Sequence, residues 1–428
     1  MAALGGLLFG FDTAIINGAI VFLKRQFQWS DLQTEVAASS LLVGCILGSS
    51  IAGWLSDRLG RKRVLLLSAA IFALSSVVTA IANSLSQFSI ARLVAGSAIG
   101  IASMLVPLYI AEISPENIRG RLVSLNQLAI MLGILFSYLT GWALSFAGNE
   151  SWRWMFASVA IPSLFFFFAL FAVPESPRWL VKSGATNQAI RLLAKLGQPV
   201  SRVNEIEHVL KEEADANLFH PSLGKPLLIG IVLAVLQQIT GINTILYYGS
   251  VIFTEHAGAR SASAALWANV IIGAVNLIFT IIAVLTIDKI GRKPLLMIAS
   301  AGMGTSLAIL AYLFSNPQMA GSKILIFIVC YVAFFSVGIG PGVWVVISEL
   351  FPTKVRGQAM SVATISLWSA CLLITSTFLS LVKAVSIRGA FSLYAVLCLC
   401  TLVFVWRVIP ETKGQTLESI ERQWMSSE

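Results

Sequence analysis

The sequence predicts an all-α membrane protein of twelve spanning helices arranged as two six-helix halves. Three observations predict it. Hydrophobic residues fill 57% of 428 positions and charged residues only 11%, too few charges to cover a water-soluble domain of this size. The apolar residues are gathered into runs of about 20, the length a helix needs to cross the hydrocarbon core. Finally, several signals of the first half return in the second at nearly one spacing.

Twelve runs can be marked, near 3–22, 35–55, 64–82, 88–111, 121–146, 153–173, 226–252, 265–287, 295–314, 323–348, 358–382 and 389–409. The first carries Asp12 at its centre. It lacks the basic start and small-residue cleavage site of a signal peptide, so it reads as the first spanning helix. The longest polar stretch, 182–225, separates the sixth run from the seventh, and 186–196 and 203–214 within it have helical composition. The expected organisation is an N-terminal six-helix bundle over 1–181, a helical linker over 182–224, a C-terminal six-helix bundle over 225–410 and a short tail over 411–428.

The net charge of +9 is distributed unevenly. Of 29 Lys and Arg, 21 fall on one side of the proposed helices, in 58–63, 119–121, 178–225, 289–293, 354–356 and 407–422; seven fall on the other. Basic residues stay in the cytoplasm, so both termini are expected there, in a multi-pass plasma or inner membrane protein. The charge therefore reports orientation in the lipid bilayer, and no nucleic-acid partner is expected.

Other classes are excluded by what is missing. The five cysteines lie in apolar runs and the three histidines are scattered, so no metal site or disulfide framework is expected. No GxxxxGK[ST] loop occurs, which argues against an ATP-driven pump. No nucleophile, base and metal converge, so neither an enzyme nor a cofactor is expected.

The repeats are specific. Asp57-Arg58-Leu59-Gly60-Arg61-Lys62 has its counterpart in Asp288-Lys289-Ile290-Gly291-Arg292-Lys293. Glu112 with Arg119-Gly120 returns as Glu349 with Arg356-Gly357, and Pro174-Glu175-Ser176 as Pro410-Glu411-Thr412. The spacings from Asp57, Glu112, Arg119 and Pro174 are 231, 237, 237 and 236 residues. Internal duplication of this kind suits a transporter that rocks one half against the other.

These motifs, with Pro174-Glu175-Ser176-Pro177-Arg178-Trp179-Leu180, Gln237-Gln238-Ile239-Thr240-Gly241-Ile242-Asn243 and Pro410-Glu411-Thr412-Lys413-Gly414, resemble the sugar porter family of the major facilitator superfamily. The bacterial xylose and glucose–proton symporters are closest in pattern. The resemblance covers essentially the whole chain and implies the major facilitator fold.

Gln237, Gln238 and Asn243 set three amides in an otherwise apolar run, which is costly unless they face partners or a cavity. An amide both donates and accepts, as a sugar hydroxyl does. Gly241 would ease local unwinding of that helix, and 338–344, Gly-Ile-Gly-Pro-Gly-Val-Trp, should break the tenth. The resemblance adds Phe9, Gln127, Tyr247, Asn276, Gly340, Trp344 and Trp368 to the sugar site. Departures are Leu367, Ser336 and Ile134, the last apolar where xylose carriers have an amide, which leans the substrate towards a hexose such as glucose.

Asp12 and Arg92 are read as the two charges buried in the spans, pairing with each other because an isolated charge at membrane depth is expensive. In proton-coupled relatives this Asp follows Phe-Gly-[Tyr/Phe], here Phe9-Gly10-Phe11-Asp12-Thr13. The repeated charges Asp57, Arg61, Glu112, Arg119, Glu175, Asp288, Arg292, Glu349, Arg356 and Glu411 are read as a cytoplasmic gate. The expected function is sugar–proton symport by a monomer. A uniporter would lack Asp12, and sugar receptors of the family carry longer tails than the 17 residues after Glu411.

Overall fold

In the computed structural model the chain is helical almost throughout, with no strand among the described residues. The structure describes residues 1–428 apart from 116–118, 215–217, 219, 221–222, 260, 317–322, 352, 412 and 414–428, and apart from the side chains of 119–121, 123–124, 212–214 and 353–354. Arg119 of the expected gate therefore lies outside the described side chains.

The first half crosses by α1 (Leu4–Phe27), α2 (Asp31–Leu59), α3 (Arg61–Ala80), α4 (Leu85–Ile113), α5 (Arg119–Leu144) and a sixth pass made of α6 (Ser151–Ser158) and α7 (Ala160–Phe171). Three short helices follow, α8 (Pro177–Lys182), α9 (Thr186–Lys195) and α10 (Arg202–Ala214). They close over a small core of their own, Leu180, Val181, Ala189, Leu193 and Val203.

The seventh pass is α11 (Gly224–Ile239) and α12 (Ile242–Val251), and the next two are α13 (Ala262–Ile290) and α14 (Arg292–Ser315). The tenth is α15 (Lys323–Phe334) and α16 (Gly340–Leu350), joined by a π-turn over Phe335–Ile339. α17 (Thr353–Val408) runs for 56 residues. At about 1.5 Å per residue it far exceeds a hydrocarbon core of ~30 Å. Ser386, at φ 67, breaks it into the eleventh and twelfth passes.

Local chemistry starts these helices. Ser30 and Gln33 form a reciprocal capping box on α2, and Ser84 and Ser261 cap α4 and α13 through the N–H groups of Gln87 and Ala264. Between helices, small residues let backbones touch. A Cβ on Gly96 of α4 would fall 1.9 Å from the Leu41 carbonyl of α2, and one on Gly48 of α2 would fall 2.1 Å from that of Ser97. Lipid tails supply no hydrophobic drive for helices to associate, so such close contact does that work instead. Phe165, Phe168, Leu285, Leu399 and Trp406 point outward, as lipid-facing side chains must.

The helix ends bearing Arg61 and Arg292 define one face, called here the basic face. Near the opposite face the two halves are tied together. Lys24 Nζ of α1 lies 2.8 Å from Glu255 beyond α12, and the Trp142 and Trp267 rings of α5 and α13 are 4.8 Å apart. On the basic face, every ion pair among the described residues stays within one half. The described contacts thus tie the halves together at the opposite face.

Candidate functional site

The α2–α4 approach through Gly96 and Gly100 places Arg92, on the same stripe, deep in the first half. Its NH1 lies 2.8 Å from Asp12 Oδ1 of α1 and its NH2 donates to the Asp12 carbonyl at 3.2 Å. Both residues are 1% exposed. The guanidinium also lies over the Phe156 ring, 5.1 Å from its centroid. Asp12 Oδ2 and Arg92 Nε have no hydrogen-bond partner among the described residues. A buried pair is stable only when geometry and further hydrogen bonds offset desolvation. This one is incomplete, and the open carboxylate oxygen is where a proton can sit.

The amide cluster forms around two interruptions. At Gly241, with φ 94, the seventh pass breaks, as Gly241 predicts. A Cβ there would lie 2.8 Å from the Tyr394 ring. The tenth pass is interrupted differently: it widens into the π-turn at Phe335–Ile339 and Pro341 then sits in the first turn of α16. Gln237 Nε2 donates to the freed carbonyls of Ile339 and Gly340 at 3.0 and 2.9 Å. Gln238 Nε2 donates to Gln237 Oε1 at 3.2 Å, and Asn243 donates to Gln238 Oε1. Asn243 also lies 3.1 Å from Cys371 Sγ of α17.

One turn before Cys371, the Trp368 ring stands edge-on to Phe9 of α1, centroids 5.6 Å apart. Its indole Nε1 has no partner among the described residues. Asn276 of α13 accepts from Ser336 Oγ of the π-turn at 2.8 Å. Gln237, Gln238, Asn243 and Gly340 thus form one hydrogen-bonded cluster, Phe9 and Trp368 an aromatic contact between the halves, and Asn276 and Ser336 a separate pair, which together make a belt of polar and aromatic groups. Tyr247 is buried one turn beyond Asn243, and Trp344 is half-buried one turn beyond Gly340. Gln127 is half-buried on α5, and Ile134 and Leu367 are buried.

On the basic face the duplication is visible atom by atom. Arg61 holds Glu112 with Nε and NH2, at 3.1 and 3.2 Å, and Asp57 with NH1 at 3.0 Å. Arg292 NH2 reaches Glu349 at 3.0 Å and Asp288 at 2.8 Å. Glu175 accepts from the backbone N–H groups of Arg61 and Lys62, and Glu411 from those of Arg292 and Lys293. Each carboxylate thus completes the N-terminus of α3 or α14, where backbone donors lack partners. Arg356 donates to the Phe351 carbonyl at 3.3 and 3.2 Å.

One expectation is corrected. Asp12 and Arg92 are not the only buried charges: Glu35 is 1% exposed, and Arg61 and Glu112 are 4% and 9%. Glu35 of α2 accepts from Ser380 N and Oγ of α17 at 2.7 and 2.6 Å, a link between the halves near the opposite face. Burial came from packing against α17, which no local pattern announces.

The chain matches a family profile described as "Sugar (and other) transporter" over residues 1–424. It is 40% identical to the arabinose-proton symporter of Bacillus subtilis (strain 168), covering 99% of this chain and 94% of that one. It is 38% identical to the D-xylose-proton symporter of Escherichia coli (strain K12), again covering 99% and 94%. Among solved structures, the inward-open conformation of the xylose transporter XylE from E. coli superposes with a TM-score of 0.86 at 35% identity, over 99% of this chain and 98% of that one. Fold, duplicated motifs and these matches agree: the chain belongs to the sugar transporter family, the sugar porters of the major facilitator superfamily.

Proposed function

We propose that this protein carries a monosaccharide across the membrane together with protons, by alternating access. The observation that carries the reading is the incomplete Asp12–Arg92 pair, fully buried on α1 and α4, with the belt of amides and aromatic rings beside it through Phe9. Similarity to arabinose- and xylose-proton symporters supports it. In this reading Phe9, Gln127, Gln237, Gln238, Asn243, Tyr247, Asn276, Gly340, Trp344 and Trp368 receive the sugar, and Asp12 with Arg92 exchanges the proton. Amides meet the hydroxyls and rings cover the C–H faces.

The basic face is the cytoplasmic one, with both termini on it, in the inner or plasma membrane of the cell, and a monomer suffices. The halves divide at 182–224. Asp57, Arg61, Glu112, Arg119, Glu175 and their repeats Asp288, Arg292, Glu349, Arg356 and Glu411 form the cytoplasmic gate. Among the described residues Arg61 pairs with Asp57 and Glu112, and Arg292 with Asp288 and Glu349, and in this reading the clusters latch the two halves when that face closes. Glucose is the favoured substrate, because Ile134 offers an apolar wall where xylose carriers place an amide.

The test is competition in proteoliposomes: labelled glucose uptake driven by an inward proton gradient, challenged with glucose, xylose and arabinose. Glucose should be the strongest competitor and uptake should collapse when the gradient is dissipated. Uptake that none of the three sugars reduces would overturn the reading.

A further inference from the structure

The amides of the seventh pass are not free to face either way. Carbonyl oxygens only accept hydrogen bonds, so the end of Gln237 that meets the Ile339 and Gly340 carbonyls at 3.0 and 2.9 Å must be its nitrogen. Both Nε2 hydrogens are thereby spent, and Gln237 Oε1 is turned to Gln238. That oxygen needs a donor, so the facing end of Gln238 is Nε2, at 3.2 Å, and its Oε1 is turned to Asn243. The end of Asn243 that meets it is then Nδ2, whose second hydrogen goes to Cys371 Sγ at 3.1 Å. Reversing Gln238 alone would set oxygen against oxygen on one side and NH2 against NH2 on the other.

The orientation of all three amides is thus inherited from the backbone of the tenth pass. What remains for a ligand can be counted. Gln237 and Asn243 have no hydrogen left to give, and Gln238 keeps one on Nε2. Asn243 Oδ1 has no hydrogen-bond partner among the described residues. The amides run head to tail with their oxygen ends towards Asn243, and hydrogen bonds in such a chain polarise one another. The chain therefore ends on a strengthened acceptor. Trp368, one turn before Cys371, offers only a donor, its buried Nε1–H, which is without a partner among the described residues.

We propose that the sugar site has a fixed hydrogen-bond polarity, set at the π-turn carbonyls of the tenth pass and relayed through Gln237 and Gln238 to Asn243. Asn243 presents the ligand with an acceptor only, and Gln238 and Trp368 present donors. The ligand class that fits is a neutral polyol with one hydroxyl that donates to Asn243 and others that accept from Gln238 Nε2 and Trp368 Nε1. A carboxylate or phosphate at the Asn243 position would set oxygen against oxygen with no hydrogen between them. Gln237 is the positioning residue of this relay, and Cys371 closes it by taking the hydrogen that Asn243 would otherwise offer. The inference rests on the sugar site of the proposed function and is independent of the proton.

Fluorine is close to a hydroxyl in size and accepts weakly, but it has no hydrogen to give. The test is equilibrium binding of labelled glucose to the purified protein, competed by glucose analogues deoxygenated or fluorinated at each ring hydroxyl in turn. At the hydroxyl that donates to Asn243, the fluorinated and deoxygenated analogues should lose affinity alike, by roughly 5- to 150-fold, because the buried acceptor goes unsatisfied. At the hydroxyls that accept, fluorine should recover part of what deoxygenation loses. In Gln237→Met the relay loses its anchor and Asn243 is free to turn Nδ2 to the ligand. The fluorine penalty at its position, taken relative to glucose on the same variant, should then shrink. A merely structural loss would weaken glucose and its analogues together and leave that ratio as it was. Fluorine tolerated at every position by the unaltered protein, or an unchanged ratio in a Gln237→Met chain that binds glucose, would overturn the proposal. If that variant does not insert, the analogue series on the unaltered protein decides alone. Absence of glucose binding to the unaltered protein would instead refute the substrate reading, and the relay's ligand with it.

Discussion

At the scale of single residues, the cost of an unpartnered polar group at membrane depth governs what can be inferred. Gln237 and Gln238 stand out in an apolar run for that reason, and the structure puts both in the belt that joins the halves. Their amides are committed partly to each other and to the π-turn carbonyls, which the sequence could not indicate, because the partners lie about 100 residues away. Gln238→Ala removes an acceptor from Asn243 and a donor from Gln237. With sugar hydroxyls also left unpaired, binding should weaken by about 5- to 150-fold, equivalent to ~1–3 kcal/mol. Equilibrium binding of labelled glucose to the purified variant measures this, with its melting temperature as the control for insertion and folding. Binding at the level of the unaltered protein would remove Gln238 from the site.

At the scale of elements, the repeated Gly-Arg-Lys corners show why the duplication is so legible. Gly60 and Gly291 adopt φ 95 and 108 with ψ 155 and 160, a region open essentially to glycine alone. At each corner the carboxylate of Glu175 or Glu411 closes on the next helix, so close that a glycine Cβ would sit 2.4 or 2.6 Å from its oxygen. Backbone conformation and carboxylate site both demand the same residues in the same order, so the pattern survives in both halves. Gly60→Ala and Gly291→Ala should each destabilise the protein by about 1–3 kcal/mol from backbone strain alone, read as a lower melting temperature in detergent. Melting unchanged in both variants would mean that the corners relax freely. The break at Gly241 was equally readable from a lone glycine among amides. The tenth pass was not: its glycines and Pro341 suggest a break, but Gln237 of another helix takes the freed carbonyls and lets the chain continue through a π-turn.

At the scale of the whole molecule, two halves were readable from their motifs, but the face at which they touch was not. One sequence must satisfy both arrangements of a transporter at similar energy, so it cannot announce either. Coupling is a property of this same scale, since it requires that the Asp12–Arg92 pair differ between arrangements. With Arg92 close, the Asp12 carboxylate has a guanidinium as its partner. If Arg92 is drawn away as the halves rock, a proton can take the place of that partner. Protonation in one arrangement and release in the other then ties proton movement to sugar movement. Asp12→Asn keeps the shape of the side chain and an oxygen for Arg92 while abolishing the exchangeable proton. In proteoliposomes it should lose accumulation of sugar against its gradient, driven by pH, while retaining exchange of labelled for unlabelled sugar, because the belt of Gln237, Gln238 and Asn243 is untouched. Loss of both activities would point to a structural role for the pair, since leaving a buried charge without its partner costs about 3–5 kcal/mol. Retained accumulation would place the coupling group elsewhere. Among the described residues Glu35, a carboxylate buried between helices of opposite halves, is then the next group to neutralise.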